Sequence, residues 1–198
     1  QPAIPRRQRQ MCIRDRDVCV YNRTETKAFA WADEYDGLSA PTPAEAAVDA
    51  QIVFLCVGND NDVRSVTVEA EGVLSTMTAG TLLVDHTTTS KALAEELHAA
   101  CDELGIAFID APVSGGQAGA ENGVLTVMAG GEASAFEIME PVIAAYAKHT
   151  QRMGDVGSGQ VTKMVNQLCI AGILGGLSEA FHFAECAGLN IDEVTRAI

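Results

Sequence analysis

From residue 18 onward the chain alternates short apolar runs with longer mixed stretches. The run VCVY at 18–21 is β-rich and closed by Asn22, and Thr24 stands as an N-cap for a helix to about residue 33. Pro43 opens a short second helix. The run IVFLCV at 52–57 is continuously apolar, which predicts a strand buried on both faces. Asn59 and Asp60 behind it can cap another helix. Residues 81–85 read as the next strand, and Ser90 caps a helix to about residue 104. Residues 106–110 and 124–129 read as further strands, the latter followed by a helix over 133–145. At residue 160 the period changes. Residues 160–187 read as one long helix with Gly188 as its C′ glycine, and 191–198 begin another.

Strands and helices alternating at this pace imply βαβ crossovers. The fold class is therefore α/β. A doubly wound, mostly parallel sheet runs to about residue 154, followed by the long first helix of an all-α domain that is cut short.

Composition narrows the function classes. Of 198 residues 47% are hydrophobic, which excludes a disordered chain. The net charge of −14 disfavours nucleic acid as a partner. No uninterrupted apolar run approaches the ~18 residues of a membrane span, so no membrane partner is expected. Six cysteines occur without a C-x-x-C pair, which reads as reduced, buried thiols in a cytoplasmic protein. The four histidines lack metal-ligand spacing, and no metal site is expected. Met128, Met139 and Met164 read as core.

Residues 1–16 stand apart. They hold five of the thirteen basic residues and one acid. The run MCIRDR at 11–16 resembles a translated sequencing adapter, so 1–16 is read as a non-native or disordered tail rather than a natural arm.

Three clusters carry candidate chemistry. The first is DAPVSGGQAGA at 110–120, just past a strand, where ligands gather in parallel sheets. Ser114 offers a hydroxyl, and Gly115 and Gly116 permit a backbone nest of N–H donors for a carboxylate or phosphate. The plainer reading is a glycine turn. The second is GDVGSGQVTKMVNQ at 154–167. Lys163, Asn166 and Gln167 are spaced i, i+3 and i+4, so they share one helix face. A half-buried Lys163 would serve as general acid or base, and the plainer reading is a surface lysine near a helix start. The third lies at strand ends: Asn22, Arg23 and Thr24; residues 57–60; and residues 85–89. Each alone is an ordinary cap.

The motifs DAPVSGG at 110–116, GVLTVMAGG at 123–131 and GSGQVTK at 157–163 resemble the β-hydroxyacid dehydrogenase family, which includes 3-hydroxyisobutyrate dehydrogenase and 2-hydroxy-3-oxopropionate reductase. The resemblance implies an NAD(P)-binding Rossmann-like domain over 17–156 and the start of an all-α domain over 157–198. It implies hydride transfer between NAD(P) and a small 3-hydroxy acid or its semialdehyde, with a small carboxylate as substrate. By motif, Ser114, Gly115 and Gly116 hold the carboxylate, Lys163 transfers the proton, and Asn166 and Gln167 orient substrate. Val57, Gly58, Asp62 and Thr88 match cofactor positions, although many members carry Pro at the position of Gly58. Asn22, Arg23 and Thr24 end the strand that selects the cofactor. No acid stands at its tip, and Arg23 suits a 2′-phosphate, so NADP is favoured over NAD.

The family's opening glycine loop and its later helices have no counterpart here, so the chain is expected to be an internal fragment, inactive by itself. The full-length parent is expected to be a homo-oligomer. Two alternatives stay open: a 6-phosphogluconate dehydrogenase-like enzyme, and a non-catalytic dinucleotide-binding module.

Overall fold

The computed structural model describes residues 16–198. The expectation for the N-terminal tail lies outside these residues, Arg16 excepted. The chain divides into two units, 1–163 and 164–198.

The first unit is built on two sheets. Strands β1 (Cys19–Val20) and β2 (Leu38–Ser39) pair in parallel as a small sheet of their own. The main sheet has six strands: β3 (Ile52–Leu55), β4 (Leu82–Asp85), β5 (Ala107–Asp110), β6 (Val113–Ser114), β7 (Leu125–Gly131) and β8 (Ala147–Gly154). Pairs β3–β4, β4–β5 and β7–β8 are parallel, while β7 runs antiparallel to both β5 and β6.

Helices connect and cover the strands. They are α1 (Glu25–Tyr35), α2 (Pro43–Ala46), α3 (Asp60–Thr67), α4 (Lys91–Glu103), α5 (Gly116–Glu121) and α6 (Ala133–Ile143). Local signals start several of them. The Asn59 side chain accepts from the Asn61 and Asp62 backbone N–H groups, and Ser90 accepts from Leu93 N–H. Thr24 takes the N-cap backbone conformation of α1, but its hydroxyl makes no cap bond. Asn22 Oδ1 instead accepts the Thr24 N–H at 2.8 Å.

Side chains alternate across the sheet, as strand geometry requires. Leu83 and Phe108 point to one face and pack with Val63, Leu93, Leu97 and Cys101. Leu82, Val84 and Ile109 point to the other and pack with Val127, Met139 and Ile143. A fully buried Leu97 is worth about 1.5–3 kcal/mol of burial alone. These two cores make the sheet doubly wound.

Four expectations are corrected. β3 is not buried on both faces: it ends the main sheet, and Phe54 is 36% exposed. β8, with the polar sequence AKHTQRMG, was not foreseen, because it borders the sheet and its side chains mostly face outward. Cysteines are not uniformly buried, since Cys56, Cys169 and Cys186 are exposed, though no described cysteine is in a disulfide. Met164 is 40% exposed rather than core.

The second unit holds the remainder of α7 (Ser158–Cys186) and α8 (Ile191–Ala197). Gly188, with φ 74°, follows the end of α7, and Asn190 caps α8 through the Asp192 and Glu193 N–H groups. Leu168, Ile173 and Phe183 are each about 70% exposed here. By length and composition α7 would suffice to cross a membrane, which a reading of uninterrupted apolar runs does not detect.

Candidate functional site

The carboxyl ends of β4 and β5 carry two buried acids in register, Asp85 and Asp110. Burial pushes each carboxyl up to about 6, against the pull of backbone N–H donors. Asp85 Oδ1 accepts the Thr87 N–H at 2.8 Å. Asp110 accepts two N–H groups from the start of α7, Gly157 at 2.7 Å and Gln160 at 2.8 Å.

Beyond Asp110 the chain makes β6 and turns at Gly115 and Gly116, whose φ values are 129° and 59°. Left-handed backbone of this kind favours glycine. A Cβ on Gly115 would also press on Leu125 at 3.0 Å. The turn leaves both glycines exposed beside Ser114, which is half-buried and paired with Thr126 of β7.

Lys163 reaches this turn from α7. Its Nζ donates to Ser114 Oγ at 3.0 Å, and the residue is only 9% exposed. Burial lowers its pKa below the ordinary lysine value. Ser114, Gly115, Gly116 and Lys163 are thus together. Asn166 and Gln167 belong to the second unit, where Asn166 Nδ2 donates to Gln167 Oε1 at 2.9 Å.

The residues expected at the cofactor lie on the rim of the first unit. Thr88 is exposed between buried Thr87 and Thr89, and Gly58 is exposed beside half-buried Val57. Val57 N–H donates to Thr87 Oγ1 at 3.1 Å, joining the β3 and β4 ends. Thr89 Oγ1 is buried without a hydrogen-bond partner among the described residues. Asn22, Arg23 and Thr24 are all exposed after β1. Arg23 Nη1 stands 3.6 Å from Asp62 Oδ1, with the arginine side chain 87% exposed. A Cβ at position 58 would collide with the Asp62 carboxylate, so glycine there admits that side chain.

Three residues near the site escaped sequence reasoning: Asp110, Gln160 and His86. The first two sat inside quoted motifs without a role. His86 is buried, its Nδ1 at 2.6 Å from Ala111 O and its Nε2 at 2.7 Å from Tyr146 Oη. A carbonyl only accepts, so Nδ1 carries the proton and Nε2 accepts from the phenol. The imidazole is held neutral, its pKa lowered by burial. No cluster of three or more metal-ligating side chains occurs among the described residues.

Comparison with known proteins agrees with this architecture. Residues 8–164 match the NAD binding domain of 6-phosphogluconate dehydrogenase, and residues 157–198 match the NAD-binding domain of NADP-dependent 3-hydroxyisobutyrate dehydrogenase. An uncharacterized oxidoreductase of Shewanella frigidimarina is 55% identical over 174 residues, covering 88% of this chain and 60% of that protein. A probable mitochondrial 3-hydroxyisobutyrate dehydrogenase-like protein of Arabidopsis thaliana is 44% identical, covering 76% of this chain and 47% of that one. The chain therefore spans about half to three fifths of these relatives. The structure of Mycobacterium tuberculosis 3-hydroxyisobutyrate dehydrogenase with L-serine superposes with a TM-score of 0.82 at 29% identity, covering 92% of this chain and 62% of that one. The Rossmann-like sheet, the long helix after it and the matches along nearly the whole chain lead to one assignment: the chain belongs to the NAD(P)-binding β-hydroxyacid dehydrogenase family, with 3-hydroxyisobutyrate dehydrogenase among its members.

Proposed function

We propose that this chain carries the substrate- and proton-handling part of an NAD(P)-dependent dehydrogenase or reductase. Its substrate is a small 3-hydroxy acid or the matching semialdehyde, of the 3-hydroxyisobutyrate or tartronate semialdehyde type. The observation that carries this reading is the buried Lys163 amine donating to Ser114 Oγ beside the Gly115–Gly116 turn.

The chemistry divides simply. NAD(P)⁺, when bound, supplies a hydride acceptor. The glycine turn offers backbone N–H groups to the substrate carboxylate, and Ser114 adds a hydroxyl. A carboxylate held there brings a hydroxyl on its third carbon toward Lys163. Neutral Lys163 takes the hydroxyl proton during oxidation, and the ammonium returns it during reduction. Its lowered pKa raises the neutral fraction near physiological pH. Asn166 and Gln167 follow one turn later along α7 and are assigned to substrate orientation by motif. The rim of Val57, Gly58, Asp62 and Thr88, with Gly58 and Thr88 exposed, suits a dinucleotide.

NADP is the favoured cofactor. Arg23 is exposed at the end of β1, and its one ion-pair partner among the described residues, Asp62, is at 3.6 Å, so the guanidinium suits a 2′-phosphate. A phosphorylated sugar acid is disfavoured as substrate. Arg64, the only arginine between Arg23 and Arg152, is bound to Glu96 at 2.7 Å. A non-catalytic module would have no need of a buried lysine against Ser114.

The test is turnover by the full-length parent on a panel of 3-hydroxy acids with NADP⁺ and NAD⁺. Activity on 3-hydroxy monocarboxylates supports the reading. Activity on 6-phosphogluconate alone, or none on any member, removes it.

A further inference from the structure

The first turn of α7 is held by side chains to which the reaction above gives no part. Asp110 is fully buried, and its two oxygens take the Gly157 and Gln160 N–H groups. Gln160 is fully buried as well. Its side-chain amide is spent on the neighbouring strand end: Oε1 accepts Thr89 N–H at 2.9 Å, and Nε2 donates to Thr87 O at 2.7 Å. Thr87 Oγ1 in turn holds Val57 N–H. One helical turn is therefore tied to the ends of three strands, β3, β4 and β5.

The seat of that turn is close. A Cβ at Gly159 would fall 2.6 Å from Asp110 O, and one at Gly130 would fall 2.8 Å from Gly159 N. The helix start rests closely on the backbone of β5 and β7, with the Asp110 carboxylate seated among them. A single capping carboxylate would satisfy a helix terminus. Bonds to the ends of both β4 and β5 also fix the rotation of this turn about the helix axis. Lys163 stands three residues past Gln160, less than one turn along. A lysine side chain has about 2 kcal/mol of rotamer freedom to lose, and it meets Ser114 Oγ only if its Cα is placed first.

We propose that Asp110 and Gln160 are positioning residues that set the Lys163 amine against Ser114 and couple it to the strand-end rim. The proposal rests on reading Lys163 as the proton-transfer group.

The test uses the 198-residue chain labelled with ¹³C at lysine Cε. Four lysines give four resonances, and Lys163→Ala identifies the one of interest. Gln160→Met removes both amide bonds and keeps the backbone N–H to Asp110. Asp110→Asn puts an N–H donor where a backbone N–H already points. In each variant the Lys163 titration should move up toward the ordinary lysine value, as the amine leaves its buried place for water. The other three lysines should not move. Gln160→Glu, which keeps the acceptor for Thr89 N–H, should fall between. In the full-length parent the same variants should lower kcat by about tenfold or more, with KM for the cofactor nearly kept. An unchanged Lys163 titration in folded Gln160→Met overturns the proposal, and that variant decides if Asp110→Asn does not fold. Should Lys163→Ala leave turnover intact, the proton-transfer reading fails instead, independently of the titration.

Discussion

Lys163 Nζ and Ser114 Oγ lie 3.0 Å apart although 49 positions separate them in the chain. The contact joins a helix to a two-residue strand, and it places an amine of lowered pKa next to a glycine turn. In the parent enzyme, Lys163→Ala should lower kcat by about 10²-fold or more, with cofactor affinity nearly unchanged. Steady-state kinetics on 3-hydroxy acids checks this, and a loss below about tenfold would count against the role. With Lys163 in the proposed role of base, kcat for the oxidation should climb with pH to a plateau reached below the ordinary lysine range.

Glycines along α7 should respond in opposite ways. Gly159→Ala drives a methyl into the Asp110 backbone and carboxylate and should cost about 2–4 kcal/mol in urea unfolding. Gly172 has open space around its Cβ position. Gly172→Ala in the same chain should be neutral or stabilising by up to about 1 kcal/mol, since alanine is the better helix former. Equal effects at the two positions would show that the seat of the helix start is not tight.

Stability should carry the signature of the buried acids. Asp85 and Asp110 keep their protons up to about pH 6, whereas unfolded carboxyls release theirs near pH 4. Between these values the folded chain binds more protons, so these groups make stability fall as pH rises through the window. His86 works with the opposite sign. Held neutral when folded, it makes stability rise as pH climbs toward 6.5. Asp85→Asn keeps an acceptor for Thr87 N–H and removes one titration. Its melting temperature should fall less between pH 4 and 6 than that of the parent chain, corresponding to about 1–2 kcal/mol. Identical pH profiles would mean that Asp85 is ionised throughout.

Arg23 and Asp62 give a cofactor experiment. In the full-length enzyme Arg23→Ala should lower kcat/KM for NADP⁺ by about tenfold or more and leave NAD⁺ nearly unchanged. Asp62→Asn removes the carboxylate that competes with a phosphate for Arg23, so it should raise NADP⁺ preference. If NAD⁺ is preferred by the wild type, or Arg23→Ala leaves the ratio unchanged, the selector lies elsewhere.

Most of the fold is legible from period and caps. The strands at the ends of which the site lies are short apolar runs, and Asn59 and Ser90 announce their helices through side chains that bond the next turn. β8 was hidden because a strand bordering the sheet with outward side chains has polar spelling. β6 was hidden because two residues inside a glycine-rich segment carry no period. At the site, Ser114 and Lys163 stand out by residue type and surroundings. Gln160 does not, since a glutamine becomes informative only once its two partners, 71 and 73 residues away, are seen. Cys56 misled for a similar reason: an apolar neighbourhood in sequence does not say which strand lies at the margin of a sheet.

The division of the chain falls immediately after Lys163. The Lys163 amine thus goes with the sheet, and the residues one turn later, Asn166 and Gln167, with the helical part. Across a lineage such a seam permits exchange: helices beyond residue 163 can diverge to fit new carbon skeletons while the amine, anchored through Gln160 and Asp110, keeps its address. Chimeras joined at this point would separate what a dehydrogenase of this type does from which acid it does it to.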